Sequence, residues 1–123
     1  MRGGNDKKEL EIIIRPEKLE DVKKVLDEAN CGGMTVATIM GCGAQKGIVD
    51  GDVVRVIKGY KTTINLLPKI KIEAVVPDES VEDIILKIQE KCSSDHVGDG
   101  KIFIHNIEEA IRIRTGERGD KAL

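Results

Sequence analysis

The residues best suited to chemistry lie in two stretches, Gly98-Asp99-Gly100-Lys101-Ile102-Phe103-Ile104 and Ile111-Arg112-Ile113-Arg114-Thr115-Gly116-Glu117. Two glycines flanking an acid allow a tight turn that exposes backbone N–H groups, and Lys101 brings a positive charge to the start of a strand. If residues 111–114 continue as a strand, period-two alternation points Arg112 and Arg114 the same way, and paired guanidinium forks suit phosphate oxygens. The pattern predicts an anion-binding corner. A hairpin with a solvated basic face accounts for the same residues.

A second glycine-bearing run, Gly41-Cys42-Gly43-Ala44-Gln45-Lys46-Gly47, follows a predicted strand. It is not a dinucleotide fingerprint, because Lys46 holds the third glycine position, and not a Walker loop, because Gly47 is not followed by Lys-Ser/Thr. Physically it offers backbone freedom near a phosphate, Gln45 as a neutral oxygen ligand and Lys46 as a charge; a flexible strand exit is the plainer alternative. No catalytic set stands out. His96 and His105 are placed on a loop and a strand as surface or structural residues, and Glu20-Asp21 and Glu108-Glu109 read as solvated faces. Cys31, Cys42 and Cys92 lie far apart without a C-x-x-C pair, which argues against a thiolate metal site and for reduced thiols in a cytosol.

The elements that must position these residues repeat one grammar. Leu10-Glu11-Ile12-Ile13-Ile14 reads as a strand stopped by Pro16, which can open a helix. Leu19, Val22, Val25, Leu26 and Ala29 recur at helical spacing, with Gly32-Gly33 ending the pattern and a strand expected from Met34 to Met40. The second copy has Ile70, Ile72, Ala74 and Val76 on a strand stopped by Pro77, then a helix carrying Val81, Ile84, Ile85, Ile88 and Cys92, with Ser80 and Asp83 as a candidate capping box. A strand from Lys101 to Ile107 closes it. Strand-helix-strand twice over predicts an α+β, ferredoxin-like double βαβ fold with helices on one face of an antiparallel sheet. The long segment from Gly41 to Asn65 interrupts this grammar, as functional loops do; Val53-Val54-Arg55-Val56-Ile57 fits a hairpin arm or a segment that orders only with a partner.

At 123 residues the chain is expected to form one domain, residues 1–123. Twenty basic residues against 22 acidic ones leave a net charge of -2, and aromatics make up 2%, so both the electrostatic footprint and the stacking platforms of nucleic-acid binders are lacking. No apolar run approaches the roughly 18 residues of a membrane span, and the expected location is the cytoplasm.

From about Lys8 to Ala122-Leu123 the chain resembles the PII signal-transduction protein family, in a variant with an extended T-loop. The resemblance rests on Ile14-Arg15-Pro16-Glu17-Lys18-Leu19-Glu20-Asp21-Val22, Gly33-Met34-Thr35-Val36, Gly41-x-Gly43-x-Gln45-Lys46-Gly47, Leu67-Pro68-Lys69-Ile70-Lys71-Ile72-Glu73, Gly98-Asp99-Gly100-Lys101-Ile102-Phe103 and Ile111-Arg112-Ile113-Arg114-Thr115-Gly116. It implies a homotrimer with nucleotide sites between subunits, a T-loop at about 42–65, a B-loop at about 93–101 and a C-terminal loop at about 112–123. ATP or ADP would be held by Gly98, Asp99, Gly100 and Lys101 of one subunit with Arg112 and Arg114 of its neighbour. Glu73, Val75 and Thr35 would surround the adenine with Ile13, Gly33 and Met34, and Gly41, Gly43, Gln45 and Lys46 would lie beside the phosphates.

The resemblance further implies that Gln45 completes a Mg²⁺ shell shared by ATP and 2-oxoglutarate, with Lys69 on a carboxylate of the keto acid and Gly43, Lys46 and Gly98 alongside. Arg55, Lys58 and Tyr60 would face a regulated target: an Amt-type ammonium transporter, glutamine synthetase or nitrogenase, with membrane contact only through a transporter. Ala44 departs from the Arg or Lys usual beside the loop glutamine. Thr62 stands where some bacterial members carry a uridylylated tyrosine, and Tyr60 lies two residues earlier. The expectation is a regulator and not an enzyme; the alternatives are a divergent adenylate sensor without a 2-oxoglutarate response, or a nucleotide-hydrolysing enzyme.

Overall fold

The computed structural model describes residues 6–42 and 66–123 in full and, between them, the backbone of residues 53–57 and 60–64. Leu10, Ile12 and Ile14 alternate with Glu9, Glu11 and Ile13, and this period-two pattern forms strand β1, Lys7–Ile14. A 3-10 turn, Pro16–Lys18, leads into helix α1, Leu19–Glu28, which turns Val22, Val25 and Leu26 inward. Strand β2, Thr35–Cys42, is followed by β3, Val53–Ile57, and β4, Tyr60–Ile64. Strand β5, Leu66–Pro77, leads through a 3-10 turn into helix α2, Val81–Cys92, and β6, Gly100–Ile107, closes the second unit.

The main sheet is antiparallel with the order β2-β5-β1-β6, and α1 packs beside α2 on one of its faces. This is the ferredoxin-like α+β arrangement expected from the doubled strand-helix-strand pattern. Leu10, Ile12 and Ile14, Ile70, Ile72, Ala74 and Val76, Val22, Val25 and Leu26, and Val81, Ile84, Ile88 and Cys92 make one aliphatic core between sheet and helices. Burying each Leu, Ile or Val side chain of this set contributes about 1.5–3 kcal/mol, and this replaces the aromatic bulk the chain lacks.

Register fixes what lies on the opposite, open face. Thr35 stands across from Glu73, Glu73 from Glu11 and Glu11 from Phe103. The next row towards the loop end is Ala37, Lys71, Ile13 and Lys101, and beyond it Ile39 pairs with Lys69. Acids therefore occupy one half of the open face and lysines the other, with Lys71 Nζ meeting Glu73 Oε1 at 3.4 Å across the boundary.

Three local expectations are corrected. Helix α1 is closed by Asn30, just past its end, rather than by Gly32-Gly33: Asn30 takes φ 59, donating its N–H to Asp27 O, while the Cys31 N–H reaches Leu26 O at 3.0 Å, a Schellman closure. Ser80 makes no side-chain cap, because the turn Asp78–Ser80 already holds it near helical geometry at φ -88, ψ -14. Residues 111–114 are not a strand; only Ile111 bridges to Arg118, and a turn intervenes. The segment left open between strand and disorder is a hairpin, with Arg55 opposite Thr62 and Ile57 opposite Tyr60. The β2–β5 ladder feeds it, running out to Cys42 opposite Leu66, and Pro68 is tolerated there because β1 has already ended at Ile14 opposite Ile70.

Candidate functional site

Two sites meet the open face of the sheet. The first is the corner formed by residues 93–101 at the loop end. Gly98 and Gly100 have φ 97 and 121, backbone conformations that side chains resist. At Gly100 the demand is also steric: a Cβ would stand 1.9 Å from Ile13 O. Glycine here lets the loop enter β6 in contact with β1.

Asp99 folds the corner rather than facing outward. Its carboxylate accepts the Ser94 N–H at 2.7 Å and the Ser94 hydroxyl, and Arg15 Nε lies 3.6 Å away. These hydrogen bonds, foremost the Ser94 hydroxyl, hold its carboxyl below the usual range, with Arg15 and His96 adding to them. Arg15 also donates from Nη2 to Val97 O at 2.7 Å, and Lys69 donates to Gly98 O at 2.5 Å. Partial burial lowers the Lys69 pKa, as does the Arg15 charge, while Glu17 and Asp99 oppose the shift. A lysine so placed, with one neutral carbonyl as acceptor, is suited to take a carboxylate or phosphate oxygen instead. Gly41 on β2 helps seat its stem, since a Cβ there would come 3.2 Å from Lys69 Cγ. Lys101 projects exposed from β6 in the adjoining row.

The second site is a cleft of about 420 Å³ lined by Gly33, Met34, Thr35, Glu73 and Val75, together with Glu9, Gly32 and Leu123. Five residues named from the sequence thus converge on one concavity. Ile13 is not among them; it sits on the open face between Lys71 and Lys101. Glu73 and Lys69 are four residues apart on β5, so the cleft and the corner lie about 13 Å apart at the usual strand rise of ~3.3 Å per residue.

Arg112 and Arg114 do not form paired forks. The Arg112 N–H bonds Glu117 O at 2.9 Å and the Gly116 N–H bonds Arg112 O at 2.7 Å, a turn that Gly116 permits with φ 72. The Arg112 guanidinium reaches back to Leu123 O at 3.0 Å and to Glu117 Oε1 at 3.5 Å, whereas Arg114 is exposed. Glu109 anchors the following segment: its Oε1 accepts the Ala110 and Gly119 N–H groups at 3.1 Å each, which depresses its pKa. Sequence reasoning missed Ser94 and Arg15 as the residues that shape the corner and Leu123 as a wall of the cleft. The S-x₄-D spacing of Ser94 and Asp99 was a usable signal; the contact of Leu123 had none. Gly43, Gln45, Lys46 and Lys58 lie outside the described residues, and Arg55 and Tyr60 are placed only by the backbone of β3 and β4. No group of three His, Cys, Asp or Glu suited to a metal occurs among the described residues. No helix among them is long and apolar enough to cross a membrane.

A ferredoxin-like sheet with a cationic glycine corner beside a polar cleft defines a small α+β module with an anion-suited edge. The comparisons place it further. A family model described as nitrogen regulatory protein P-II matches residues 7–117. Over 116 residues the chain is 48% identical to nitrogen regulatory protein P-II 2 of Methanothermobacter thermautotrophicus, covering 94% of this chain and 96% of that one. Among solved structures, the B. subtilis GlnK-ATP complex superposes with a TM-score of 0.75 at 29% identity, covering 97% and 99% of the two chains. Arabidopsis thaliana PII bound to citrate superposes at 0.71 with 32% identity, covering 94% and 88%. The chain belongs to the nitrogen regulatory protein P-II family.

Proposed function

We propose that this chain is a cytoplasmic sensor of energy and carbon/nitrogen status that acts by protein contact and not by catalysis. In this reading it binds ATP or ADP and, with Mg-ATP, 2-oxoglutarate, and signals through residues 42–65 to a nitrogen-metabolism target such as an Amt-type transporter, glutamine synthetase or nitrogenase. The observation that carries it is Lys69: a partly desolvated ammonium at the base of the β2–β5 ladder, held by the carbonyl of Gly98 in the anion corner. A carboxylate that takes Lys69 from Gly98 would move both the corner and the root of the long segment. This is a differential contact of the kind a population shift requires. The ATP complex of B. subtilis GlnK and the citrate complex of Arabidopsis thaliana PII support a nucleotide and a small carboxylic acid as the ligand classes.

The site works as a trimer in this proposal. In this reading the cleft at Thr35, Glu73 and Val75 of one chain takes the adenine, and the cations of the corner, about 13 Å along β5, take the phosphates. Gly98, Asp99, Gly100 and Lys101 would cradle phosphates, with Arg112 and Arg114 reaching in from the neighbour and Gly41 and Gly43 alongside. Mg²⁺ would arrive with the nucleotide, because the described residues offer it no carboxylate cage; phosphate oxygens and Gln45 suit its preference for oxygen. Ala44, which removes a cation beside Gln45, favours one alternative, an adenylate sensor without a keto-acid response.

Calorimetric titration of 2-oxoglutarate with Mg-ATP, with Mg-ADP and with no nucleotide decides between them. Binding with Mg-ATP alone, lost in Gln45→Ala and Lys69→Ala, is the expected result. Nucleotide binding without any keto-acid heat would leave the adenylate-only reading standing.

A further inference from the structure

We infer that Glu9 is a specificity-determining residue of the cleft, and that its carboxylate reads the exocyclic amine of adenine. The inference deepens the proposed function and rests on it. Glu9 belongs to none of the sequence runs that carry the family resemblance. It reaches the cleft through register: Glu9 stands across from Val75 on β5, and Glu73, two residues back along that strand, stands across from Thr35. Alternation puts Glu9, Glu73 and Val75 on the open face, away from Leu10 and Ala74 in the core. With Thr35 they line one cavity of about 420 Å³.

The acids around the cleft differ in what they already hold. Glu73 meets Lys71 Nζ at 3.4 Å, and Glu11, beside it on β1, meets His105 Nε2 at 3.0 Å. Glu9 makes no hydrogen bond or ion pair among the described residues, although His105 stands opposite it in the β1–β6 register. A half-buried carboxylate whose acceptor capacity is unspent takes N–H or O–H donors and repels phosphate. The cleft is thereby suited to the donor-bearing end of a nucleotide and not to its anionic end.

Position along β5 selects the donor. Lys69 in the corner is four residues from Glu73 and six from Val75, so a nucleotide anchored by its phosphates passes Glu73 after about 13 Å and comes level with Glu9 after about 20 Å. The end of an extended adenine nucleotide farthest from its phosphates is the base edge that bears the 6-amino group; the ribose hydroxyls fall nearer, at the level of Glu73. The amine offers Glu9 an N–H donor, whereas the 6-oxo group of hypoxanthine sets an acceptor against an acceptor. One carboxylate thus both attracts the aminopurine and rejects the oxopurine.

The test is calorimetry with Mg-ATP, Mg-dATP and the inosine analogue Mg-ITP on the unaltered chain, on Glu9→Ala and on Glu9→Gln, with thermal melting to confirm that each is folded. A preference for ATP over ITP that falls about 5- to 20-fold in Glu9→Ala, and less in Glu9→Gln, which keeps an oxygen acceptor in the same shape, is the expected result, with the ATP-to-dATP ratio unchanged. A fall in the ATP-to-dATP ratio instead overturns the assignment in favour of the sugar. No change, or an equal change for all three nucleotides, overturns it outright, since a general effect of charge does not distinguish bases. Absence of heat from all three with the unaltered chain would remove the nucleotide reading itself, and the role of Glu9 with it.

Discussion

The corner at Gly98–Lys101 and the cleft rim at Gly32–Thr35 both combine glycines with polar side chains on the open face of one sheet, yet they are built in opposite ways. In the corner nearly every group is committed: Gly100 abuts Ile13 O, Asp99 holds Ser94, Arg15 holds Val97, and Lys69 holds Gly98. At the rim, Cβ atoms added to Gly32 and Gly33 would meet nothing within 4 Å, and Thr35 is exposed. A corner of fixed dipoles suits the small, highly charged end of a ligand, where position decides strength. An open rim suits a larger, less charged part that is gripped by shape, and it leaves space for a neighbouring molecule to finish the site.

The sharpest way to break this contrast is to put the same methyl group in both places. Gly100→Ala is expected to cost about 3 kcal/mol or more, since it adds a contact at 1.9 Å to a backbone at φ 121. Gly33→Ala should stay within about 0.5 kcal/mol, and equal losses in urea unfolding would erase the distinction. Next in size, Lys101→Ala should weaken Mg-ATP binding by about 1.5–3 kcal/mol with its melting point held, because the side chain is exposed and its bond to phosphate would be charge-assisted. Thr35→Ala should lose no more than about 1.5 kcal/mol; a larger loss there than at Lys101 would reverse the assignment of the two ends.

A smaller effect separates the regions by pH. Asp99 has its carboxyl depressed below the ordinary 3.8 by Ser94, so the bond that closes the corner contributes fully at and above that value and is lost as pH falls through the depressed one. The Ser94 amide resonance should follow that transition while the Thr35 amide does not; a Ser94 transition above pH 3.8 would contradict it. Smallest of all, Asn30→Gly should stabilise the chain by a few tenths of a kcal/mol up to about 1, because φ 59 carries no penalty in glycine.

How much of this was legible in the sequence follows from the range of the forces involved. Alternation in Leu10–Ile14 and Ile70–Val76 and helical spacing in Val22, Val25 and Leu26 are local signals backed by burial, and the sheet and helices formed where they pointed. The doubled strand-helix-strand order was enough to settle the ferredoxin-like topology. Arg112 and Arg114 misled because period-two reasoning presumes a strand, while Gly116 turned the chain and Glu117 and Leu123 captured the guanidinium. The end of α1 was misread for a related reason: two glycines looked like the stop, but Asn30 reached the left-handed region first. Most telling is the cleft. Gly33, Met34 and Thr35 were recognisable beside Glu73 and Val75 only through a family pattern, since residues nearly forty positions apart come together by the β2–β5 register, which no local motif states.

The placement of Tyr60 at the start of β4 has an optical consequence. The chain has one tyrosine and no tryptophan, so emission excited in the tyrosine band comes from one residue, at the start of β4 in the β3–β4 hairpin. No tryptophan or second tyrosine elsewhere in the chain competes with it. An unlabelled sample therefore carries its own local beacon, and the intensity or anisotropy of that one ring reports on the hairpin alone when an effector or a target protein is added.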